Sequence, residues 1–314
     1  MAHDRRFRFG ILAKEARTGT DMTAFARHVE DLGYSTLYHP DHFVDHPIAP
    51  IPAMAHVAAV TTTLRVGTLV LGNDYKHPVV LANEAATIDR LSDGRLELGL
   101  GAGWMTVDYE RGGFRHDSPG ARIARLDEAL TVIKGLWADG PFSFAGEHYE
   151  INALDGEPKP TQRPHPPIVV GGGGPKILAV AAKHAQIVGI NAQLHQGTPD
   201  HPDTVQSMTA AATDVKLDHL RDAAGDHFDG LEIQTLTGFV FVTDDRAGVA
   251  DGMASAFNVE PQLALETPAA LVGTVEEMID DLEARRARWQ MSYVVVPEEF
   301  TDTFAPVVAR LAGN

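Results

Sequence analysis

The sequence predicts a single (β/α)8 TIM barrel, in which eight parallel strands alternate with helices. Three observations support this: short β-rich runs alternate with amphipathic helical patterns along the whole chain, eight such units can be counted, and 314 residues suit one α/β barrel. An open doubly wound sheet is the alternative, but eight right-handed repeats of this length close more readily than they lie flat. We therefore expect one domain, residues 1–314.

The first half of the chain supplies four strand and helix units. Its predicted strands are 7–12, 35–39, 65–71 and the end of 92–100. Its predicted helices are 22–32, 52–63, about 79–91, and a fourth that carries an apolar stripe from Ile123 to Trp137. Gly33 is placed to end the first helix.

The second half begins with an insertion between the fourth helix and the fifth strand, at about residues 140–167. Its many prolines and glycines and its lack of helical period predict an irregular segment with one hairpin. The remaining predicted strands are 167–171, 186–191, 233–245 and 291–297. Thr274 and Glu277 form a capping box before a helix, and Phe304, Val308 and Leu311 mark a closing helix.

Composition restricts the partners. The formal net charge of −17 would repel a nucleic-acid backbone or an anionic membrane, so a small-molecule substrate is expected instead. The chain has no cysteine, which excludes disulfides, cysteine-zinc sites and thiol catalysis. The N-terminal stretch has no long apolar run, and a cytoplasmic location is the default expectation.

The segment "IVVGGGGPKI", residues 168–177, places four glycines between a strand and a helix. Ordered glycines cost conformational entropy, so a need for close approach to the main chain is indicated. Pro175 suits the first helical position, and Gly172, Gly173 and Gly174 would present N–H groups at a positive helix end, with Lys176 beside them. This arrangement suits a phosphate, although neither standard phosphate motif is matched. A tight strand-to-helix turn is the alternative.

In such a barrel the functional residues lie at the C-terminal ends of the strands. The polar or small residues that follow predicted strands are His39, Asp41 and His42 in "YHPDHF", Asn73, Trp104, the glycine loop, Asn191, and a loop near Gly273. A histidine beside an aspartate can position a ring or transfer a proton near neutral pH. Both histidines can equally be hydrogen-bonded loop residues.

A metal site is the other interpretation of "YHPDHF". His39, Asp41 and His42 with His77 or His195 would then bind a divalent cation for hydrolysis. The first strand lacks the His-x-His that barrel metallohydrolases place there, so no metal is expected.

The whole chain resembles the luciferase-like flavin and deazaflavin oxidoreductases. The resemblance lies in "YHPDHF", "GTLVLGNDYKHPVVLANEAATIDRLSDGRLELGLGAGW", "RIARLDEALTVIKGLW" and "PPIVVGGGGPKILAVAAKHAQIVGIN". The wording of "GTLVLGNDYKHP" and "VVGGGGPK" is most similar to the branch that depends on coenzyme F-420, an 8-hydroxy-5-deazaflavin.

The resemblance implies roles for these stretches. The glycine loop and Pro175 would hold the cofactor phosphate, with Lys176 assisting. A bulge at Leu71, Gly72 and Asn73, a place where the family often has a non-prolyl cis peptide, would press on the cofactor ring. Asp41 and His42 would lie along the ring, where His42 would donate a proton or stabilise the hydride-transfer state. Asn191 would meet the ribityl chain or phosphate.

The resemblance also implies the reaction class. The expected function is F-420-dependent hydride transfer to or from a small organic substrate, and FMN-dependent monooxygenation with reduced FMN and oxygen is the alternative. Trp104 stands where the sugar-phosphate dehydrogenase branch has an acidic glutamate. With His39 it would form a more apolar substrate pocket, unless Trp104 only packs in the wall. A homodimer and a flavin or F-420 reductase are the expected partners, and a non-catalytic flavin-binding protein on the same barrel is a third hypothesis.

Overall fold

A closed parallel barrel is the architecture found in the computed structural model, which describes residues 5–15, 17–46, 48–194 and 202–314. The eight barrel strands are β1 (Arg8–Leu12), β2 (Thr36–His39), β3 (Arg65–Thr68), β5 (Leu96–Gly101), β8 (Ile168–Gly172), β9 (Ile187–Ile190), β10 (Glu232–Leu236) and β13 (Met291–Pro297). A two-residue strand, β4 (Leu71–Gly72), continues β3 after a break and pairs with β5. Each barrel strand pairs in parallel with its neighbours, and β3 pairs with β5 to close the ring. The predicted TIM barrel is therefore confirmed.

Helices lie between the barrel strands, as the alternating pattern predicts. They are α1 (Gly19–Asp31), α2 (Pro50–Val60), α3 (Pro78–Leu91), α4 (Thr106–Gly112), α5 (Pro119–Trp137), α6 (Pro175–His184), α7 (Pro202–Gln206), α8 (Ala210–Ala224), α9 (Arg246–Phe257), α10 (Pro261–Glu266), α11 (Val275–Trp289) and α12 (Thr301–Leu311). The capping box predicted for Thr274 and Glu277 begins α11 and is confirmed. Within the described ranges, no helix is long and apolar enough to cross a membrane.

The core has two layers because successive strand side chains point to opposite faces. Alternate residues such as Leu12, Tyr38 and Tyr293 fill the inside of the barrel. Their neighbours, such as Ile11 and Leu37, pack outward in the larger core that also includes helix residues. This alternation decides which residues at the strand ends can face the mouth of the barrel.

The N-terminal end of the barrel is filled by a buried ionic network. The fully buried Glu97 on β5 pairs with Arg8 and with Arg65, whose Nε lies 2.7 Å from Oε1. Glu97 also accepts hydrogen bonds from the hydroxyls of Tyr38 and Tyr293. Desolvation by burial raises the pKa of Glu97, but the two arginines and the Tyr38 hydrogen bond outweigh it and hold that pKa below its ordinary value.

Two small sheets lie outside the barrel. Residues 140–167 contain an antiparallel hairpin formed by β6 (Phe142–Ala145) and β7 (Glu150–Leu154). The other sheet pairs β11 (Phe239–Val242) in parallel with β12 (Ala270–Gly273).

The sheet of β11 and β12 corrects two predictions. The run 233–245 is not one strand, because the chain leaves the barrel after Leu236 and forms β11 in a separate sheet. The segment before Thr274 is strand β12 rather than a loop. Two β-rich runs so close together look continuous in sequence, since periodicity does not reveal a change of partner strand.

Candidate active site

The loop after β2 is tied to α4 by a buried histidine–aspartate pair. His42 Nδ1 and Asp108 Oδ2 lie 2.6 Å apart, and the other oxygen of Asp108 accepts the backbone N–H groups of Phe43 and Val44. The Asp108 carboxylate is fully buried, whereas 15% of the His42 side chain remains exposed. A carboxylate that accepts the Nδ1 proton leaves Nε2 as the histidine atom that can exchange a proton with a bound molecule.

The His42 ring has aromatic neighbours. Trp104, from the segment after β5, meets it edge to face with ring centroids 5.5 Å apart. His46 lies with its ring centroid at 4.8 Å, and burial lowers the pKa of His46, with the His42 charge acting in the same direction. The structure thus brings together two of the predicted site residues, His42 and Trp104, from the ends of the second and fourth barrel strands.

Asp41 joins the same loop to the break in the third barrel strand. Its Oδ2 accepts the N–H of Gly72 on β4 at 3.0 Å. Burial raises the pKa of Asp41, and the Gly72 hydrogen bond acts against that rise. Asp41 and Gly72, both predicted to contact the cofactor, are therefore in direct contact with each other.

The break in the third barrel strand begins at Leu69, two residues before the predicted bulge that begins at Leu71. The non-prolyl cis peptide joins Leu69 to Val70, not residues within the predicted bulge of Leu71, Gly72 and Asn73. A Cβ on Gly101 of β5 would stand 2.7 Å from the Val70 side chain, so Val70 lies over the mouth side of β5.

The predicted bulge residues lie in other positions. Leu71 packs into the outer core. Asn73 is buried at the start of a 3-10 turn, and its Nδ2 donates to the Tyr149 hydroxyl at 3.4 Å. Leu69 packs against the inner core instead. The bulge that faces the barrel axis is therefore Leu69 and Val70.

The turn after β4 is braced from α4 and α5. Asp74 accepts the Tyr109 hydroxyl at 2.9 Å and pairs with Arg125 at 2.6 Å. Arg125 also pairs with Asp117 before α5. These contacts fix the strand break relative to Asp108, which is the residue before Tyr109.

The four glycines after β8 are needed first for close packing. A Cβ at Gly171 would stand 2.7 Å from Asn191 Nδ2, and one at Gly173 would stand 2.5 Å from the Asn191 carbonyl oxygen. A Cβ at Gly172 would overlap the Ile177 side chain. Close approach of the chain after β9 thus accounts for most of this loop, and none of the four glycines has a positive φ.

The start of α6 remains available to an anion. Gly174 is the N-cap residue and supplies no capping side chain, and Pro175 is the first helical residue. The first-turn N–H groups therefore keep the positive helix end that favours a phosphate. Lys176 is exposed at this turn, where its charge can add to that of the helix end.

Asn191 leaves β9 beside the glycine loop and is held from behind by a buried lysine. Its N–H donates to the Gly172 carbonyl at 3.0 Å, and its own carbonyl accepts Lys216 Nζ at 2.7 Å. Lys216, on α8, also donates to the Ser207 carbonyl. Burial lowers the pKa of Lys216 to about 8.

His39 is placed differently from the sequence expectation. It follows Tyr38, whose ring fills the inside of the barrel, so the His39 ring points outward between strands and helices. It is fully buried, and burial lowers its pKa to about 4, while the nearby Glu298 acts in the opposite direction. This position corrects the prediction that His39 lines the substrate pocket.

The residues of the metal interpretation do not converge. Asp41 bonds to Gly72, His42 bonds to Asp108, and His39 points away from both. His77 caps α3 by accepting the Val79 N–H, and His195 lies outside the described residues. Within the described part of the chain, no group of three or more His, Asp or Glu side chains is arranged to hold a metal ion.

Sequence reasoning assigned no role to three residues that shape this site. Asp108 lies 66 positions from its partner His42, and Lys216 lies 25 positions from its partner Asn191. The His46 ring lies beside that of His42. The sequence shows that Asp108 is a carboxylate shortly after Trp104, but the spacing does not show that its partner is His42. Lys216 lies on the apolar face of α8, and a lysine at such a position indicates a buried charge that needs a partner.

Two relatives from the comparison with curated proteins represent two cofactor classes. The chain is 35% identical over 162 residues to the oxygenase component of the flavin-dependent trigonelline monooxygenase of Acinetobacter baylyi, a match of 51% of this chain and 42% of the relative. It is 30% identical over 170 residues to the F-420-dependent glucose-6-phosphate dehydrogenase of Amycolatopsis mediterranei, covering 52% and 50%. The matched part of the chain spans about half the length of these curated relatives.

A solved structure shares the fold over the full length. The F-420-dependent tetrahydromethanopterin reductase of Methanopyrus kandleri superposes with a TM-score of 0.74, covering 98% of this chain and 99% of that chain at 18% identity. The family model for luciferase-like monooxygenases matches residues 7–307. With the barrel, the broken third strand and this match over nearly all its length, the chain belongs to the luciferase-like monooxygenase family.

Proposed function

We propose that this protein is an F-420-dependent oxidoreductase that transfers a hydride between the deazaflavin and a small organic substrate. The single observation that carries the proposal is the His42–Asp108 pair. The pair holds the His42 ring through Nδ1 on the loop after β2, and the neighbouring Asp41 accepts the N–H of Gly72 in the broken third strand. Reduction of a carbonyl by hydride needs a proton at the oxygen, and a histidine held by a carboxylate is suited to supply it.

The residues present fit such a cofactor. The uncapped start of α6 offers N–H groups to a phosphate, and the exposed Lys176 lies at the same turn. Leu69 and Val70 offer an apolar surface for one face of a ring. Asp41 and the Asn191 side chain would contact polar edges of the cofactor.

A bound deazaflavin would supply two-electron hydride chemistry. The chain supplies position and proton control. Asp108 holds the His42 ring in one orientation, and Trp104 and His46 restrict its movement from two sides. His42 Nε2 then gives a proton to, or takes one from, the oxygen atom of the substrate. The buried Asp108 stabilises the charged imidazolium form when it arises.

FMN-dependent monooxygenation is the second candidate. Of the two relatives described above, the trigonelline monooxygenase component has the higher sequence identity to this chain, 35% against 30%. The same helix start suits the phosphate of FMN. In that case reduced FMN would come from a reductase partner, and oxygen would be the second reactant. The site residues proposed here would keep their positions under either cofactor.

Equilibrium titration of the purified protein distinguishes the two candidates. The protein is titrated separately with coenzyme F-420 and with FMN, followed by cofactor fluorescence and tryptophan emission. Micromolar or tighter F-420 binding with weak FMN binding supports the proposal. The reverse preference rejects it in favour of the monooxygenase, and oxygen uptake with reduced FMN is then the confirming measurement.

A further inference from the structure

A cavity of about 400 Å³ lies beside the candidate cofactor site and is not used by the function proposed above. One wall comes from the chain after β9 and carries Leu194, Val205 and Met208. The opposite wall comes from β11, α9 and α10 and carries Phe239, Phe257 and Leu263. Its volume is in the range of pockets that bury small organic ligands.

The cavity adjoins the glycine loop. Ala192 lines it, and the Ala192 carbonyl lies 2.7 Å from the position that a Cβ on Gly173 would take. The next residue, Gln193, places its Nε2 3.2 Å from the corresponding position on Gly174. The same short segment therefore forms both the edge of the anion site and the wall of the cavity.

The described residues that line the cavity are mainly apolar. None of these described residues is charged, although the protein carries a formal charge of −17. The hydroxyls of Thr209 and Thr267 donate to the backbone carbonyls of Gln206 and Met208. Against this described lining, a polar ligand group would lose its water and gain no charged partner, so the lining disfavours such groups.

We propose that this cavity binds an uncharged hydrocarbon group of a small organic ligand. Burial of that group in a preformed apolar cavity removes hydrocarbon surface from water, and this drives binding. The inference does not depend on the proposed function.

Binding is tested on the protein without cofactor. The fluorescent probe 1-N-phenylnaphthylamine is bound to the protein and displaced by straight-chain 1-alkanols from butanol to decanol. We expect each added methylene to tighten displacement about fourfold until the cavity is full. Displacement that does not depend on chain length would overturn the proposal.

Two variants that fill the cavity locate the binding. Met208→Trp on one wall and Leu263→Phe on the other are each expected to weaken alkanol binding at least tenfold. Val215→Trp is the matched control, because Val215 is 54% exposed on α8 away from the lining. If both variants fold, as judged by circular dichroism, and bind decanol as the parent protein does, the cavity is not the site. If one does not fold, the other variant and the chain-length series decide.

The experiment separates this inference from the proposed function. Chain-length-dependent binding without any F-420 binding would leave the cavity as a hydrocarbon site and reject the oxidoreductase proposal. F-420 binding with no chain-length dependence would reject only the cavity.

Discussion

The two ends of the barrel contain buried ionisable groups that are held in different ways. At the N-terminal end, Glu97 is enclosed by Arg8, Arg65 and two tyrosine hydroxyls, and these partners hold its pKa below the ordinary value. At the C-terminal end, burial without an arginine partner raises the pKa of Asp41 and lowers that of Lys216 to about 8.

This difference between the two ends indicates that the N-terminal end serves stability and the C-terminal end serves chemistry. The charges around Glu97 are fixed by mutual pairing and cannot easily gain or lose a proton. At the mouth, the pKa shifts of Asp41 and Lys216 bring these two groups nearer to neutrality, and the His42 side chain keeps an exposed edge. The charges at the N-terminal end of the barrel are fixed, whereas groups at the C-terminal end can exchange protons. This agrees with the rule that TIM-barrel enzymes have their active sites at the C-terminal ends of the strands. The following predictions test this contrast, from the largest effect to the smallest.

Removal of the His42 imidazole tests the reactive end. His42→Ala should lower kcat by about 10²- to 10⁴-fold, the usual contribution of a general acid or base, while the Kd for cofactor changes little. Turnover of a small organic substrate measures kcat, and fluorescence titration measures the Kd for cofactor. His219→Ala, an exposed histidine on α8, should leave both unchanged. Unchanged kcat in His42→Ala would remove its proposed role.

Glu97→Gln tests the paired end. Arg8 and Arg65, each about one quarter exposed, would lose their buried counter-charge. We expect the free energy of unfolding to fall by about 3 kcal/mol, with little change in kcat of the folded protein. Urea unfolding measures it, and the exposed Glu110→Gln should change it by less than about 0.5 kcal/mol.

The difference in unfolding free energy between the parent protein and Glu97→Gln should depend on pH in a definite direction. The folded-state pKa of Glu97 lies below its unfolded value of about 4.3, so its contribution is fully present above that pH. The contribution is lost as pH falls through the folded pKa. The stability gap between the parent protein and Glu97→Gln should therefore narrow at acidic pH. A gap that widened there would contradict the assignment.

Gly173→Ala tests the close contact at the glycine loop. The added Cβ would stand 2.5 Å from the Asn191 carbonyl oxygen, which is backbone and cannot rotate away. We expect a loss of about 1–3 kcal/mol in the free energy of unfolding, together with weaker cofactor binding. Gly120→Ala on α5 is the control, since nothing lies within 4 Å of its Cβ position, and it should be neutral or stabilising by up to about 1 kcal/mol.

Lys216→Met gives the smallest expected effect. Because burial lowers the folded-state pKa of Lys216 to about 8, the unfolded chain binds more protons between pH 8 and the ordinary lysine pKa of about 10.4. The parent protein should therefore gain about 1 kcal/mol over Lys216→Met as pH rises from 8 to 9. Thermal unfolding of both proteins across this range measures the difference, and a constant difference would show that Lys216 keeps its ordinary pKa.

Local pattern was sufficient for most of the fold. Strand and helix units alternate in sequence because each strand must be β-rich and each helix must carry an apolar stripe, and both periods are visible without a structure. The pattern failed after Leu236, where the chain leaves the barrel but stays β-rich. It also misplaced the strand break, since "GTLVLGN" does not show which peptide departs from the strand.

The amino-acid sequence was sufficient to predict the barrel and the family resemblance, and it indicated His42, Asp41 and the glycine loop as candidates, because these features lie in contiguous residues. The contact of Asp108 with His42, the support of Asn191 by Lys216 and the outward position of His39 became visible only in the folded structure. The same holds for the apolar cavity, which two distant segments form. The reason is physical: hydrogen bonds and cavities depend on distances between residues far apart in the chain, and closure of the barrel sets those distances.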